Sequence, residues 1–156
     1  MTKTNAIRLI AQAGLPYRTT EYDYDEHDLS GIHAAVAMGM PPEQVFKTLV
    51  ARGERTGILV FCIPVSCFLD LKKAAKVAHD KKVEMIAMNE LLPLTGYVRG
   101  GCSPVGMKKS YPTFIDTTAM LFDEIAVSAG ARGQQIILSP RDLIQYTKMT
   151  VCDLTD

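Results

Sequence analysis

The sequence predicts an α/β fold, one domain with a mixed, strongly curved β-sheet. Three observations carry that expectation. Short runs rich in β-branched and aromatic residues recur along the chain, above all the continuous apolar run 58–63 (ILVFCI). That run is too short for a typical helix and suits a strand buried on both faces. Short helical patterns with legible start and stop signals separate the runs. Neither a linker nor a repeat divides the chain, so residues 1–156 read as one domain, long enough to bury a substantial core.

Taken in order, residues 4–13 place Ala6, Ile7, Leu9, Ile10 and Ala13 on one apolar helical face, and Gly14 ends the pattern. Pro16 forces extension, and 17–24 reads as a strand. The acidic stretch with Asp23, Asp25, Glu26 and Asp28 reads as a solvated turn. Ser30 is a fitting N-cap for a helix closed by Gly39, and 41–44 (PPEQ) restarts a helical turn. Residues 46–51 form the next strand candidate, 53–57 a turn, and 58–63 the buried strand that Pro64 ends. A helix over 69–78 carries Lys72, Lys73 and Lys76 on its outer side, a strand follows at 83–87, and a brief helix at 89–92. Residues 113–117 and 124–128 alternate as strands do, 130–133 is a turn, and 135–138 returns. Ser139-Pro140-Arg141-Asp142 then starts a helix with a serine cap, a proline in the first turn and an acid facing the helix dipole.

Composition narrows the function classes. The chain is 47% hydrophobic and 22% charged, an ordinary globular balance that disfavours disorder and coiled coil. Its formal net charge is +0, so no global field draws it onto nucleic acid or anionic lipid; a polynucleotide partner needs a local basic patch or a second protein to deliver it. The four cysteines (Cys62, Cys67, Cys102, Cys152) form no CxxC pair, and His27, His33 and His79 no HExxH. Reduced, mostly buried thiols and no metal are the expectation, and nothing suggests an organic cofactor. No apolar run reaches membrane-spanning length and the N-terminus leads into an amphipathic pattern, which points to a cytoplasmic protein without a membrane partner.

Residues 96–109 (GYVRGGCSPVGMKK) hold four of the 11 glycines, a proline and three cationic side chains. Such a run packs poorly as helix or strand, but it offers backbone N–H groups that no Cβ obstructs. Pro104 stiffens its far end through its own φ and that of Ser103. A backbone-lined, prearranged pocket is what an oxyanion or phosphate requires; a glycine-rich hairpin connection explains the composition equally well.

Three segments, VFKTLV at 45–50, GYVRGGCSPVG at 96–106 and VSAGARG at 127–133, stand in one order, supported by LKKAAK at 71–76, KVEM at 82–85 and SPRDL at 139–143. With them the sequence resembles the YbaK/EbsC family, free-standing relatives of the editing domain inserted in bacterial prolyl-tRNA synthetases, over nearly the whole chain. The resemblance implies a sheet curled into a partial barrel and an enzyme that deacylates mischarged tRNA, most characteristically Cys-tRNA(Pro). Related branches remove alanine or other small residues, and a non-catalytic module binding an aminoacylated or adenylated end is a further reading.

The ester chemistry asks for donors aimed at the carbonyl oxygen and a cation near the ribose-phosphate end. The run Gly100, Gly101, Cys102, Ser103, Pro104 matches the family's glycine-x-x-x-proline loop and would supply the donors. Lys47 matches the family's lysine; it stands among apolar neighbours (Val45, Phe46, Leu49, Val50), although a surface lysine on an alternating strand fits the pattern as well. Cys102 has no histidine or acid nearby in sequence to activate it. The family's mode is substrate-assisted: the bound cysteine's own thiol attacks its ester carbonyl and forms a thiolactone, leaving Cys102 replaceable. Tyr22, Phe46, Ser128, Gly130 and Asp142 match polar or pocket positions; a strand tyrosine, a tight hairpin and a helix-start acid are the structural alternatives for Tyr22, Ser128–Gly130 and Asp142. Lys72, Lys73, Lys76, Lys81, Lys82, Lys108 and Lys109 form a possible tRNA-facing surface or solvated faces. The balanced charge makes prolyl-tRNA synthetase a reasonable partner.

Overall fold

The computed structural model describes residues 3–156, and among them eight strands divide between two sheets. The smaller sheet is antiparallel: β1 (Tyr17–Glu21) and β6 (Ile125–Ser128) flank β7 (Gln134–Leu138). The larger is mixed, in the order β4 (Val83–Met85), β2 (Phe46–Gly53), β3 (Gly57–Pro64), β5 (Thr113–Asp116), β8 (Thr150–Cys152). β2 runs antiparallel to β3 and β4, whereas β3–β5 and β5–β8 are parallel. A parallel bridge between Val45 and Ala126 joins the two sheets. The barrel stays partial, because among the described residues no second seam closes it.

Local chemistry fixes most of the elements. The β2–β3 hairpin keeps one register from Phe46 opposite Pro64 to Gly53 opposite Gly57. Its turn is held by Asp80, whose Oδ2 accepts from the Arg55 and Thr56 N–H groups and from Thr56 Oγ1 at 2.6–3.0 Å. Those bonds, the Thr56 hydroxyl foremost, hold the Asp80 carboxyl well below the usual carboxylate range. The helices start on side-chain caps. Thr4 accepts from Ile7 N–H ahead of α1 (Asn5–Gln12), Ser30 from His33 N–H ahead of α2 (Gly31–Met38), and Asp70 from Lys72 and Lys73 N–H ahead of α3 (Leu71–Val77). α4 (Leu91–Thr95) ends on Gly96, and α5 (Pro140–Thr147) begins on Ser139.

Several boundaries differ from the sequence reading. β1 stops at Glu21 rather than 24, because the chain turns away into the exposed 23–28 loop, where Asp25 bridges Asp28. α3 starts at Leu71 because Asp70 caps it. The helical stretch near 89–92 is a single turn (Met88–Glu90) leading into α4, and a second turn (Thr117–Leu121), capped by Asp116, was not foreseen. Nor was β8. The glycine run joins α4 to β5, so it is not a hairpin connection.

Three apolar clusters fill the structure. The first sits under α1, where Ile7 and Ile10 meet Val127, Ile136 and Leu138 of the small sheet and Phe46 and Cys62 of the large one. A second lies on the other face of the large sheet, where Phe61, Ile63 and Phe114 face Ala74 and Ala75 of α3. There the Phe61 and Phe114 rings stack with centroids 5.2 Å apart. The third is small: Ala35 of α2 covers Val45, Val65, Ala126 and Ile137 at the seam between the sheets. Beyond that seam the packing opens into a cavity.

Candidate functional site

β2 is paired with β3 along its length, but on its other edge β4 reaches it only from Ala51 to Gly53, with one further bond from Ile86 N–H to Val50 O. The first half of β2 therefore borders open space. A cavity of about 480 Å³ occupies it, a size usual for a small-molecule site. Its walls are β2 from Phe46 to Val50, the start of α2, the 85–91 segment, and the glycine loop at Arg99, Gly100 and Cys102. Tyr22, Phe68, Ser128 and Gln135 complete it.

Lys47 and the glycine loop thus share one cavity. Burial pushes the Lys47 ammonium below the usual lysine range, an effect the nearby Cys67 partly offsets. Among the described residues no carboxylate pairs with it; the contact recorded is with the Phe68 ring, 5.5 Å from Nζ to the centroid. The cavity lining holds two cations, Lys47 and Arg99, and neither a carboxylate nor a histidine. Among the described residues no group of three or more potential metal ligands gathers.

The loop's donors divide into committed and free ones. Gly101 N–H is spent on Val98 O at 3.0 Å, Val105 N–H on Ser103 Oγ at 3.2 Å, and Pro104 has no N–H. Gly100 and Cys102 both line the cavity, and among the described residues no acceptor takes their N–H groups. Gly100 has φ +84°, a left-handed conformation that few residues other than glycine adopt. Gly101, Ser103 and Pro104 are buried behind this surface and do not line it. A Cβ on Gly101 would lie 3.2 Å from Arg132 N and 3.3 Å from the Ala131 carbonyl carbon, so this glycine lets the 128–133 turn press against the loop. Arg132 Nε donates to Arg99 O at 2.8 Å and ties the same two segments together.

Cys102 is a protonated thiol. Burial pushes its pKa up to about 12, which disfavours the thiolate that a nucleophile needs.

The remaining predicted residues separate. Tyr22, Phe46 and Ser128 line the cavity. Ser128 Oγ accepts from Gly130 N–H at 3.1 Å, which leaves its hydroxyl hydrogen free to donate. Gly130 does not line the cavity; its φ is +96° and a Cβ there would meet Tyr97 Cε1 at 2.9 Å, so it seats the tyrosine whose hydroxyl donates to Val105 O. Asp142 stands apart. It lies in the first turn of α5, past the Leu138 end of β7, whereas the cavity meets β7 three residues earlier, at Gln135. The helix-start acid is the reading that fits. Of the lysines offered as a tRNA surface, Lys73 is bound to Asp153 and Lys82 to Glu84, so that row is not a free basic strip.

Several lining residues had no site role in the sequence reading, among them Arg99, Phe68 and Gln135. Gln135 sits opposite Ser128 in the β6–β7 pairing and is 6% exposed, and its Oε1 is buried without a hydrogen-bond partner. An orphaned carboxamide oxygen beside a cavity is an unfilled acceptor.

A cavity lined by two cations and by backbone N–H groups without acceptors, with neither a carboxylate nor a histidine, suits an anionic ligand. Comparisons with known proteins give the class. Residues 30–146 match the family described as "Aminoacyl-tRNA editing domain", and the chain belongs to that family. It is 44% identical, over 98% of its length and 93% of the relative's, to EbsC of Enterococcus faecalis (strain ATCC 700802 / V583), a candidate Cys-tRNA(Pro)/Cys-tRNA(Cys) deacylase. It is 26% identical to the uncharacterized protein YwhH of Bacillus subtilis (strain 168), over 81% of this chain and 82% of that one. Among solved structures, a candidate trans-editing enzyme for prolyl-tRNA synthetase superposes with a TM-score of 0.83 at 26% identity, covering 97% of this chain and 92% of that one. The hypothetical protein APE2540 shares the fold, with a TM-score of 0.86 at 23% identity over 96% and 97% of the two chains.

Proposed function

We propose that the chain, acting as one editing unit over residues 1–156, clears mischarged aminoacyl-tRNA in trans, with Cys-tRNA(Pro) as its preferred substrate. One observation carries the reading: Lys47, Gly100 and Cys102 line one cavity whose lining holds neither a carboxylate nor a histidine to serve as general base, and among the described residues the Gly100 and Cys102 N–H groups have no acceptor. A substrate that brings its own nucleophile needs none. The cysteine thiol, with an ordinary pKa of about 8.5, is partly ionised near neutrality. Its sulfur attacks the ester carbonyl and closes a thiolactone. Charge that builds on the carbonyl oxygen meets the Gly100 and Cys102 N–H donors. The C–O bond to ribose then breaks, and the proton lost by the thiol returns to the ribose oxygen. Water hydrolyses the thiolactone afterwards.

Lys47 holds the ribose-phosphate end, and Tyr22, Phe46 and Ser128 line the aminoacyl side. Gly101, Ser103, Pro104 and Gly130 act behind the surface, by holding the loop in shape. The balanced net charge and the paired Lys73 and Lys82 favour delivery of tRNA by a partner, for which prolyl-tRNA synthetase is the natural candidate, in the cytoplasm where translation occurs.

The test compares cysteinyl, alanyl and seryl esters on one tRNA. Release of thiolactone from the cysteinyl ester at least about 1,000-fold faster than cleavage of the other two, beyond what pocket size supplies, supports the mechanism. Pocket size alone separates one-methylene differences by only about 10–200-fold. Alanyl ester cleaved as fast as cysteinyl ester would replace it with direct hydrolysis by water.

A further inference from the structure

The cavity mouth carries more exposed apolar surface than a closed protein needs. Phe68 is 76% exposed, and Ile32, Met85 and Met88, all lining the same cavity, are 43%, 45% and 60% exposed. A single exposed apolar side chain is unremarkable, but four around one opening mark a contact surface. The charges beside them have one sign, since Lys47 and Arg99 are the charged groups of the lining. A lipid tail would have no use for the cations, and an acidic peptide no use for an aromatic face. A flat, uncharged ring attached to an anionic chain matches both.

We propose that Phe68, with Met85 and Met88 along the mouth, is a stacking platform for the terminal nucleobase of a single-stranded RNA end. This rests on the aminoacyl-tRNA reading above and names the group that the outer part of the site grips. The Lys47 ammonium sits over one face of the Phe68 ring, 5.5 Å from its centroid, so a base stacked on the ring's free face keeps its ribose and phosphate near the cation that lines the cavity. Aromatic stacking accepts any base, because every base has a π face. The platform therefore positions the end of the RNA without reading its sequence.

The chain has no tryptophan, so Phe68→Trp places a lone fluorescent reporter on the platform. That variant is titrated with a short RNA ending in CCA and with the same RNA lacking its terminal base. The expected result is quenching by the intact RNA and at least about 10-fold weaker binding of the abasic one, the span that stacking of one base supports. In parallel, Phe68→Ala should raise KM for aminoacyl-tRNA about 10-fold and leave kcat within about threefold, while Phe68→Trp keeps the original KM. Equal affinity for intact and abasic RNA, no quenching up to millimolar RNA, or an unchanged KM in Phe68→Ala overturns the platform. The two readings fail separately. RNA binding that depends on the terminal base without any deacylation would sink the catalytic proposal alone, and deacylation with base-independent binding would sink the platform alone. Phe68 is exposed, so neither variant removes core packing.

Discussion

Two lysines, Lys47 on β2 and Lys73 on α3, show what separates a site from a scaffold. At the α3–β8 corner, Lys73 donates to Asp153 Oδ2 at 2.9 Å and to Thr155 O. The bond to Asp153 raises its pKa above the usual lysine value. Close by, the buried Asp116 accepts from Leu154 N–H at 2.9 Å and from the N–H and hydroxyl of Thr118. Every strong group in that corner has its partner. At the cavity the pattern reverses: Lys47 has an aromatic ring beside it in place of a carboxylate, Gly100 and Cys102 hold N–H groups with no acceptor, and Gln135 holds an acceptor with no donor. Burial then lowers the Lys47 pKa instead of raising it. Withheld partners are what a ligand supplies.

Replacing the two lysines in turn tests the contrast most sharply. Lys47→Met should lower kcat/KM for cysteinyl-tRNA by about 100-fold or more, as loss of a charge-stabilising group does. Its thermal midpoint should hold or rise, because a half-buried, unpaired ammonium is removed. The sign follows from the shift: the folded state binds this proton less tightly than the unfolded chain, so protonation opposes folding and stability rises with pH toward the ordinary lysine pKa. Wild-type activity should accordingly decline with rising pH before the usual lysine range is reached. Lys73→Met should leave deacylation unchanged. Equal losses of activity in both variants would erase the distinction.

A smaller effect, on stability alone, is expected at Asp116. Asp116→Ala strands the buried Leu154 N–H and should cost about 2–3 kcal/mol in denaturant unfolding. Its kcat at a temperature where it stays folded should match the parent. The smallest effect is reserved for Cys102→Ala: activity within about threefold, and slow alkylation of Cys102 in the parent near neutral pH, as a thiol with a pKa near 12 requires. Abolished turnover in a folded, tRNA-binding Cys102→Ala variant would turn the mechanism covalent.

How much of this was legible in the sequence follows from the physics of each part. β3 shows itself because six consecutive apolar residues have few other fates, and the helix starts at Ser30 and Ser139 show themselves because capping is local. β8 does not, since three residues, two of them exposed, carry no periodicity. At the site, Lys47 stood out as a cation among apolar neighbours and the 96–109 run by its glycines. Gln135 stayed hidden: in QQIIL nothing local says which glutamine faces inward, and only the pairing with Ser128 decides it. Asp142 falls outside the cavity lining, and its place in the first turn of α5 gives it a structural role that the sequence also allowed. Which glycine N–H groups stay free is likewise a matter of tertiary geometry.

The close contact at Gly101 bears on how the protein is made. A Cβ on that residue would press to 3.2–3.3 Å against the peptide at 131–132, yet some thirty positions of chain separate the two. A ribosome must deliver the second segment before the first can settle, long after Lys47 has emerged. A nascent chain therefore holds Lys47 before the glycine loop has the segment it packs against.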